Sequence, residues 1–289
     1  MKRVFLTFAD RRLHRSVTRI SKQAEAMRAY DVIQSADETW LEGSFRRKFA
    51  DKLVRGSRGF GYWCWKPQLL LQTFQALCDS DIVQYTDAGC HMNPLGRRRL
   101  LQYFAMTDAS STGILAFQAR PPEAPLVYDG RKLPDWRESY WVKGDLVDHF
   151  GVRRSDAIVH SPTIVATTFF VRKCASSTEL IRTWMNIIET DFSLLDDTPS
   201  RSPNFPGFIE HRHDQSIFSL LCKLRHVDTL SSCEHDYPKR TSMEADWEAL
   251  REFPIHAKRD KDLGPAARAV HWLRKLGSRL KTTVYGVVR

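Results

Sequence analysis

Short apolar runs alternate along the chain with stretches whose apolar residues recur at three- and four-residue steps. Residues 4–9 form the first run and predict a strand. In residues 15–27, Val17, Ile20, Ala24 and Met27 fall on one helical face. Residues 30–34 predict a second strand and 39–53 a helix. Three glycines within 56–61 predict a loop or bend. Pro67 suits the first turn of a helix reaching residue 78, with Leu69, Leu70, Phe74 and Leu77 inward. Further strands are predicted over 81–85, 113–118 and 162–172, and further helices over 95–106, 142–150, 177–190 and 213–224. This alternation predicts an α/β sheet with helices on its faces. Four prolines between 119 and 140 predict an irregular excursion, and the Asp-, Pro- and Ser-rich residues 194–207 a mobile loop. With no internal repeat, residues 1–265 read as one domain and 266–289 as an appended tail.

The tail changes the charge picture. Ala269, Trp272, Leu273, Leu276, Leu280 and Val284 recur at helical spacing among Arg268, Arg274, Lys275, Arg279, Lys281 and Arg289, with no acidic residue. It therefore holds +6 of the chain's +10, which rests on 44 Lys and Arg against 34 Asp and Glu. A basic amphipathic helix suits an anionic bilayer; a helix packed on the domain with a solvated basic face is the competing reading. The surplus favours polyanionic surroundings in general: nucleic acid, anionic lipid or phosphorylated ligands. Hydrophobic residues at 42% and charged residues at 27% exclude wholesale disorder. No apolar run approaches the roughly 20 residues of a bilayer span, and the apolar stretch after Lys2-Arg3 is shorter than the core of a secretory signal. Six cysteines without C-x-x-C spacing predict reduced thiols in a cytoplasmic protein rather than a zinc ribbon.

Four segments hold candidate chemistry. An apolar strand runs into Tyr85-Thr86-Asp87-Ala88-Gly89. Ligands of open α/β sheets gather at the carboxyl ends of strands, so a carboxylate there can hold a divalent cation or a ribose hydroxyl. An Asp that only caps the turn is the alternative. His213-Asp214-Gln215-Ser216 opens an amphipathic helix. Asp214 there either complements the positive helix end or aims a carboxylate, with the Gln215 amide, into a pocket. Phe60, Tyr62, Trp63 and Trp65 put four aromatics into six residues before Lys66. They either wedge into the core or stack on a base or sugar ring, with Lys66 at a phosphate. Arg58-Gly59-Phe60-Gly61-Tyr62 also resembles the start of an RNA-recognition-motif strand, although Pro67 falls where the strand must continue. No Gly-Lys-Ser/Thr follows, so the glycines are not a Walker loop. Late in the chain His256 stands near Lys258 and Arg259, where an imidazole can ligate a metal beside phosphates; a lone His is more often a surface or core residue.

Taken in order, residues 4–9, Gly61-Tyr62-Trp63-Cys64-Trp65-Lys66-Pro67, Tyr85-Thr86-Asp87-Ala88-Gly89, Trp141-Val142-Lys143-Gly144-Asp145 and His213-Asp214-Gln215-Ser216 resemble a GT-A-fold nucleotide-sugar glycosyltransferase. The resemblance is to the small bacterial enzymes that build capsule or lipopolysaccharide, and it covers most of residues 1–260. It implies a Rossmann-related mixed sheet flanked by helices. It implies transfer of a sugar from a nucleoside-diphosphate sugar to a glycan or lipid-linked acceptor, with a lean toward retention, on the inner face of the plasma membrane. Donor contacts would come from Thr7, Ala9, Trp65, Lys66, Asp87, Gly89, Lys258 and Arg259. Acceptor-side contacts would come from Lys143 and Asp145. Asp214 and Gln215 would lie beside the anomeric carbon, and Asp87 and His256 would hold Mn2+ or Mg2+. The family motif is Asp-x-Asp, and Gly89 stands at its second position. The chemistry calls for these groups independently: a departing diphosphate needs a cation, and an oxocarbenium-like centre needs a carboxylate or amide dipole. Two other functions compete: a basic RNA-binding protein using residues 58–65, and a GT-A-like binding module without catalysis. Nucleic acid is not an expected partner.

Overall fold

The computed structural model describes residues 1–119, 127–128, 131–132, 136–237 and 245–262. Apart from one two-residue pair described below, its strands are β1 (Arg3–Phe8), β2 (Val32–Ala36), β3 (Ile82–Thr86), β4 (His91–Met92), β5 (Ile114–Gln118), β6 (Ile164–Arg172), β7 (Asp228–Ser231) and β8 (Ile255–His256). Six form one sheet in the order β2-β1-β3-β6-β5-β7, and β8 pairs with β4 separately. Only β6 runs against its neighbours. The carboxyl ends of the other five therefore gather along one edge. This is the mixed, helix-flanked α/β sheet that the sequence predicts.

Helices α1 (His14–Met27), α2 (Gly43–Lys48), α3 (Trp65–Gln75), α4 (Arg97–Ala109), α5 (Gly144–His149), α6 (Ala175–Thr190) and α7 (Asp214–Leu224) cover the sheet. Side chains of a strand alternate between faces, and β1 shows the consequence. Val4, Leu6 and Phe8 pack in a core with Leu70, Trp184 and Phe218. Phe5 points the other way, to Ile20, Met27 and Phe104. Fully burying an apolar side chain of this size contributes roughly 1.5–3 kcal/mol. No described helix is long and apolar enough to cross a membrane.

The helix predicted over 39–53 shortens to α2. The chain turns again at Phe49, whose ring packs 4.8 Å from that of Phe45, so that both reach the core. Strand β7 and the β4–β8 pair are not predicted by the sequence, because Asp228, Thr229 and Ser231 give no apolar alternation and the other two are only two residues long. Within the proline-rich excursion, Val127–Tyr128 pairs with Arg131–Lys132; residues 120–126, 129–130 and 133–135 lie outside the described residues. So does the whole of 266–289, with the amphipathic helix expected there.

Residues 59–63 depart most from expectation. Their φ angles are +58°, +52°, +86°, +54° and +60°, one left-handed turn closed by Tyr62 N–H donating to the Arg58 carbonyl at 2.7 Å. The left-handed helix costs about 1–2 kcal/mol per L residue. Phe60, Tyr62 and Trp63 bear that cost, offset by packing. Phe60 and Trp65 sit against Phe8, with centroids 6.3 and 4.0 Å away. A Cβ on Gly59 would lie 2.3 Å from the Trp63 ring. An RNA-binding strand over 58–65 is thereby corrected: the segment is a turn running into a helix, and Phe60 and Trp65 are buried.

Candidate active site

Strand β3 ends at the carboxyl edge of the sheet and delivers Asp87 there, with its backbone N–H donating to the Thr167 carbonyl at 2.9 Å. The first turn of α3 brings Lys66, and the first turn of α7 brings Asp214. The Lys66 ammonium donates to Asp214 Oδ2 at 2.6 Å and to the Ala166 carbonyl at 2.9 Å. It stands 3.6 Å from Asp87 Oδ1. The Tyr85 hydroxyl donates to the same Asp87 oxygen at 2.6 Å. Side-chain exposure falls from 32% at Asp87 to 7% at Asp214 and 2% at Lys66. Two carboxylates thus share one buried ammonium, and the outer one faces solvent.

The electrostatics follow from burial. Loss of water pushes the Asp214 carboxyl up to about 6, against the opposing pull of Lys66. Burial acts to lower the Lys66 pKa, but the Asp214 and Asp87 carboxylates outweigh it and the net shift is upward. At neutral pH the pair is ionised. A carboxylate that titrates near 6 beside a second, solvated one is the environment-split pair that acid–base and ion-stabilising chemistry uses.

The turn after Asp87 is strapped from two sides. Asp260 N–H donates to the Gly89 carbonyl at 2.9 Å. Arg19, on α1, donates from one nitrogen to the carbonyls of Ala88 at 3.0 Å and Asp260 at 3.1 Å. Gly89 has a steric reason: a Cβ there would lie 3.3 Å from Arg259 Cα. The glycine at the second position of the Asp-x-Asp motif that this stretch resembles is the residue over which the C-terminal segment passes. Sequence reasoning misses Arg19, because a basic residue on the polar side of a helix reads as solvated. Arg19→Ala should loosen both carbonyl grips. We expect nucleoside diphosphate affinity to fall about tenfold with a melting temperature lower by about 2–4 °C, read by calorimetry; unchanged affinity assigns Arg19 to stability alone.

The other predicted residues divide. Thr7 is fully buried with its hydroxyl unpaired, and Ala9 is buried just beyond β1. Trp65 is corrected from a donor contact to a core residue: it stacks on Phe8, and its indole N–H donates to the Gly59 carbonyl at 3.1 Å. Lys66 is corrected from a phosphate contact to the counter-ion of two carboxylates. Lys258 lies over the Trp247 ring at 5.2 Å, and Arg259, 80% exposed, stands 3.6 Å from Asp236. Gln215 is half-buried in the first turn of α7, next to Asp214.

His256 is buried in β8, with Nε2 2.9 Å from the Leu250 carbonyl and its ring against Trp247. Among the described residues no three of His, Cys, Asp and Glu converge as metal ligands. With an ammonium already between the two carboxylates, no side chain at residue 89 and His256 turned to a carbonyl, this donor set does not fit a divalent ion.

Lys143 and Asp145 serve the loop that follows α6. The Lys143 ammonium donates to the carbonyls of Ser193, Asp196 at 2.9 Å and Thr198 at 3.2 Å. Asp145 accepts from the N–H groups of Arg201 at 3.0 Å and Ser202 at 2.7 Å. His211 and His213 place ring nitrogens 3.0 and 2.8 Å from the Leu194 and Leu195 carbonyls. The stretch expected to be mobile is lashed down by the residues leading into α7. A cleft of about 400 Å³ opens beside it, lined by Asp145, His149, Asp191 and Arg201; no lining residue belongs to the Lys66–Asp87–Asp214 cluster.

The structure is similar to several solved ones. A glycosyltransferase involved in the glycosylation of the major capsid of PBCV-1 is 11% identical, with 94% of this chain and 98% of that one covered and a TM-score of 0.45. Mouse xyloside xylosyltransferase 1 is 11% identical, covering 88% and 84%, with a TM-score of 0.43. The galactosyltransferase LgtC, solved with donor and acceptor sugar analogues, is 11% identical, covering 94% of each chain, with a TM-score of 0.40. No protein-family model matches the sequence, and no curated protein matches it.

Proposed function

We propose that this protein is a glycosyltransferase that moves a sugar from a nucleoside-diphosphate sugar to a glycan or lipid-linked acceptor. The observation that carries the reading is the convergence of three remote segments, around Lys66, Asp87 and Asp214, at the carboxyl edge of the sheet. Those segments are three of the five on which the sequence resemblance rests. In this reading Asp87, the outermost carboxylate, meets the donor. Asp214 and the Gln215 amide act at the sugar, where a carboxylate steadies positive charge at the anomeric carbon; a carboxylate placed there favours retention. Lys258 and Arg259 meet the charge that develops on the departing diphosphate. Lys66 holds the two carboxylates in register and touches no substrate.

The test is release of nucleoside diphosphate from a panel of nucleotide sugars, with Asp87→Asn as the control. Release by the wild type alone supports transfer. Binding of a nucleotide sugar with no release in any acceptor mixture favours the non-catalytic binding module, a reading that the glycine at residue 89 keeps in play.

Residues 266–289 are the membrane contact in this proposal, at the cytoplasmic leaflet where a lipid-linked acceptor is presented. Six cations contribute about 1 kcal/mol each near an anionic surface. Truncation after Pro265 should release the protein from anionic liposomes while sparing donor hydrolysis, and salt should weaken the full-length protein's binding. Equal sedimentation of both forms with liposomes rules this contact out.

A further inference from the structure

We propose that the Lys66 ammonium is a built-in cation standing where a divalent metal would join Asp87 and Asp214, so that the protein binds its nucleoside diphosphate without a metal ion. The identity of that ligand rests on the glycosyltransferase reading; the place of the cation does not.

Three oxygens surround the ammonium: Asp214 Oδ2 at 2.6 Å, the Ala166 carbonyl at 2.9 Å and Asp87 Oδ1 at 3.6 Å. An Asp side chain, a backbone carbonyl and a second Asp are the donor set a hard cation takes, and here it is filled from within the chain. A divalent ion on the same oxygens would sit within a few ångströms of a buried positive charge. Repulsion at that range in a low-dielectric site far exceeds its value in water. Lys66 cannot swing aside into solvent, since its side chain is 2% exposed. It does not yield by losing its proton either, because both carboxylates hold the proton on.

The remaining places for a metal ligand are taken up as well. The Tyr85 hydroxyl occupies one side of Asp87 Oδ1. Residue 89, where the family motif puts its second carboxylate, is a glycine closed over by Arg259. The imidazole of His256 is engaged by the Leu250 carbonyl. The exposed cations of the same neighbourhood, Lys258 and Arg259, lie on the segment that Asp260 fastens to Gly89. They leave the ligand's phosphates a partner that needs no metal.

The experiment measures binding of UDP, GDP, CDP and ADP to the wild-type protein by calorimetry, first with chelator and then with excess Mn2+. For the nucleotide that binds, the two dissociation constants should agree within about threefold. A loss of about tenfold or more on chelation, restored by Mn2+, overturns the proposal. A second arm needs no nucleotide: Mn2+ is titrated into ligand-free protein and followed by its paramagnetic resonance signal and by the melting temperature. The wild type should take up no Mn2+ in the micromolar range, whereas Lys66→Met, its carboxylates left without a cation, should bind it and recover part of its lost melting temperature. Wild-type protein that binds Mn2+ as tightly as Lys66→Met overturns the proposal. If none of the four nucleotides binds in either condition, the glycosyltransferase reading is what fails, and the manganese arm decides the place of the cation. A Lys66→Met protein that folds only with Mn2+ supports the proposal. If that variant folds in neither condition, the wild-type titration decides: no uptake supports the built-in cation, and micromolar uptake overturns it.

Discussion

Replacing Asp87 by Asn should abolish sugar transfer, cutting turnover by about a thousandfold or more, with a melting temperature within about 2 °C of the wild type. The asymmetry comes from where Asp87 sits. It is the solvent-facing member of the cluster, and Lys66 keeps its short contact to Asp214 when the outer charge is gone. An Asn oxygen can still accept from Tyr85. What disappears is the negative charge turned toward the donor. Initial rates and differential scanning calorimetry on the same preparation check both halves. A variant within tenfold of wild-type turnover removes Asp87 from the chemistry.

The largest stability effect should follow from Lys66→Met. Removing one partner of a buried ion pair costs about 3–5 kcal/mol, because the other charge stays behind without water. For a chain of this size that is a fall of roughly 10 °C in melting temperature. Asp214→Asn should cost less, since Lys66 keeps Asp87 and the Ala166 carbonyl. The double variant Lys66→Met with Asp214→Leu should recover most of the loss, because neither charge is then stranded. The pair also sets a pH limb. With the Asp214 carboxyl pushed up to about 6, turnover that needs it ionised should fall tenfold per unit below that value and level off above it. Lys66 opposes that upward shift, so any residual activity of Lys66→Met should have its acid limb moved to higher pH. A profile flat from pH 5 to 8 places Asp214 outside the rate-limiting step.

The sequence is most legible where local pattern decides the outcome. An apolar strand followed by Asp87, and an amphipathic helix opening at Asp214, need only their own neighbours to form. Lys66 is visible as a candidate but not in its true place: its partner Asp214 lies 148 positions away, and nothing local shows an ammonium folding inward. His256 reads wrongly as a ligand because the orientation of a lone imidazole is set by tertiary contacts, here the Leu250 carbonyl and the Trp247 ring. Gly89 reads as a missing carboxylate; its steric cause, the passage of Arg259, lies 170 positions along the chain. Residues 194–207 carry a composition that ordinarily means a free loop, and one buried lysine, Lys143, reverses that by gathering the carbonyls of Asp196 and Thr198 together with that of Ser193 just before them. Strand β7 has no pattern of its own and exists because the edge of β5 accepts it.

The left-handed turn at residues 59–63 ties the candidate site to apolar contacts on remote segments. Three L residues in that conformation are uphill in isolation by roughly 3–6 kcal/mol. They persist only once Phe8 has been fixed in β1 and the His213 ring is present for Tyr62 and Trp63, at centroid distances of 5.0 and 5.9 Å. Lys66 lies three residues beyond the turn. The same apolar contacts therefore hold the start of α3, and with it the approach of the Lys66 ammonium to Asp214. A substitution at Phe8 or His213 that frees the turn should therefore loosen the Lys66–Asp214 contact as well, although neither residue touches the lysine.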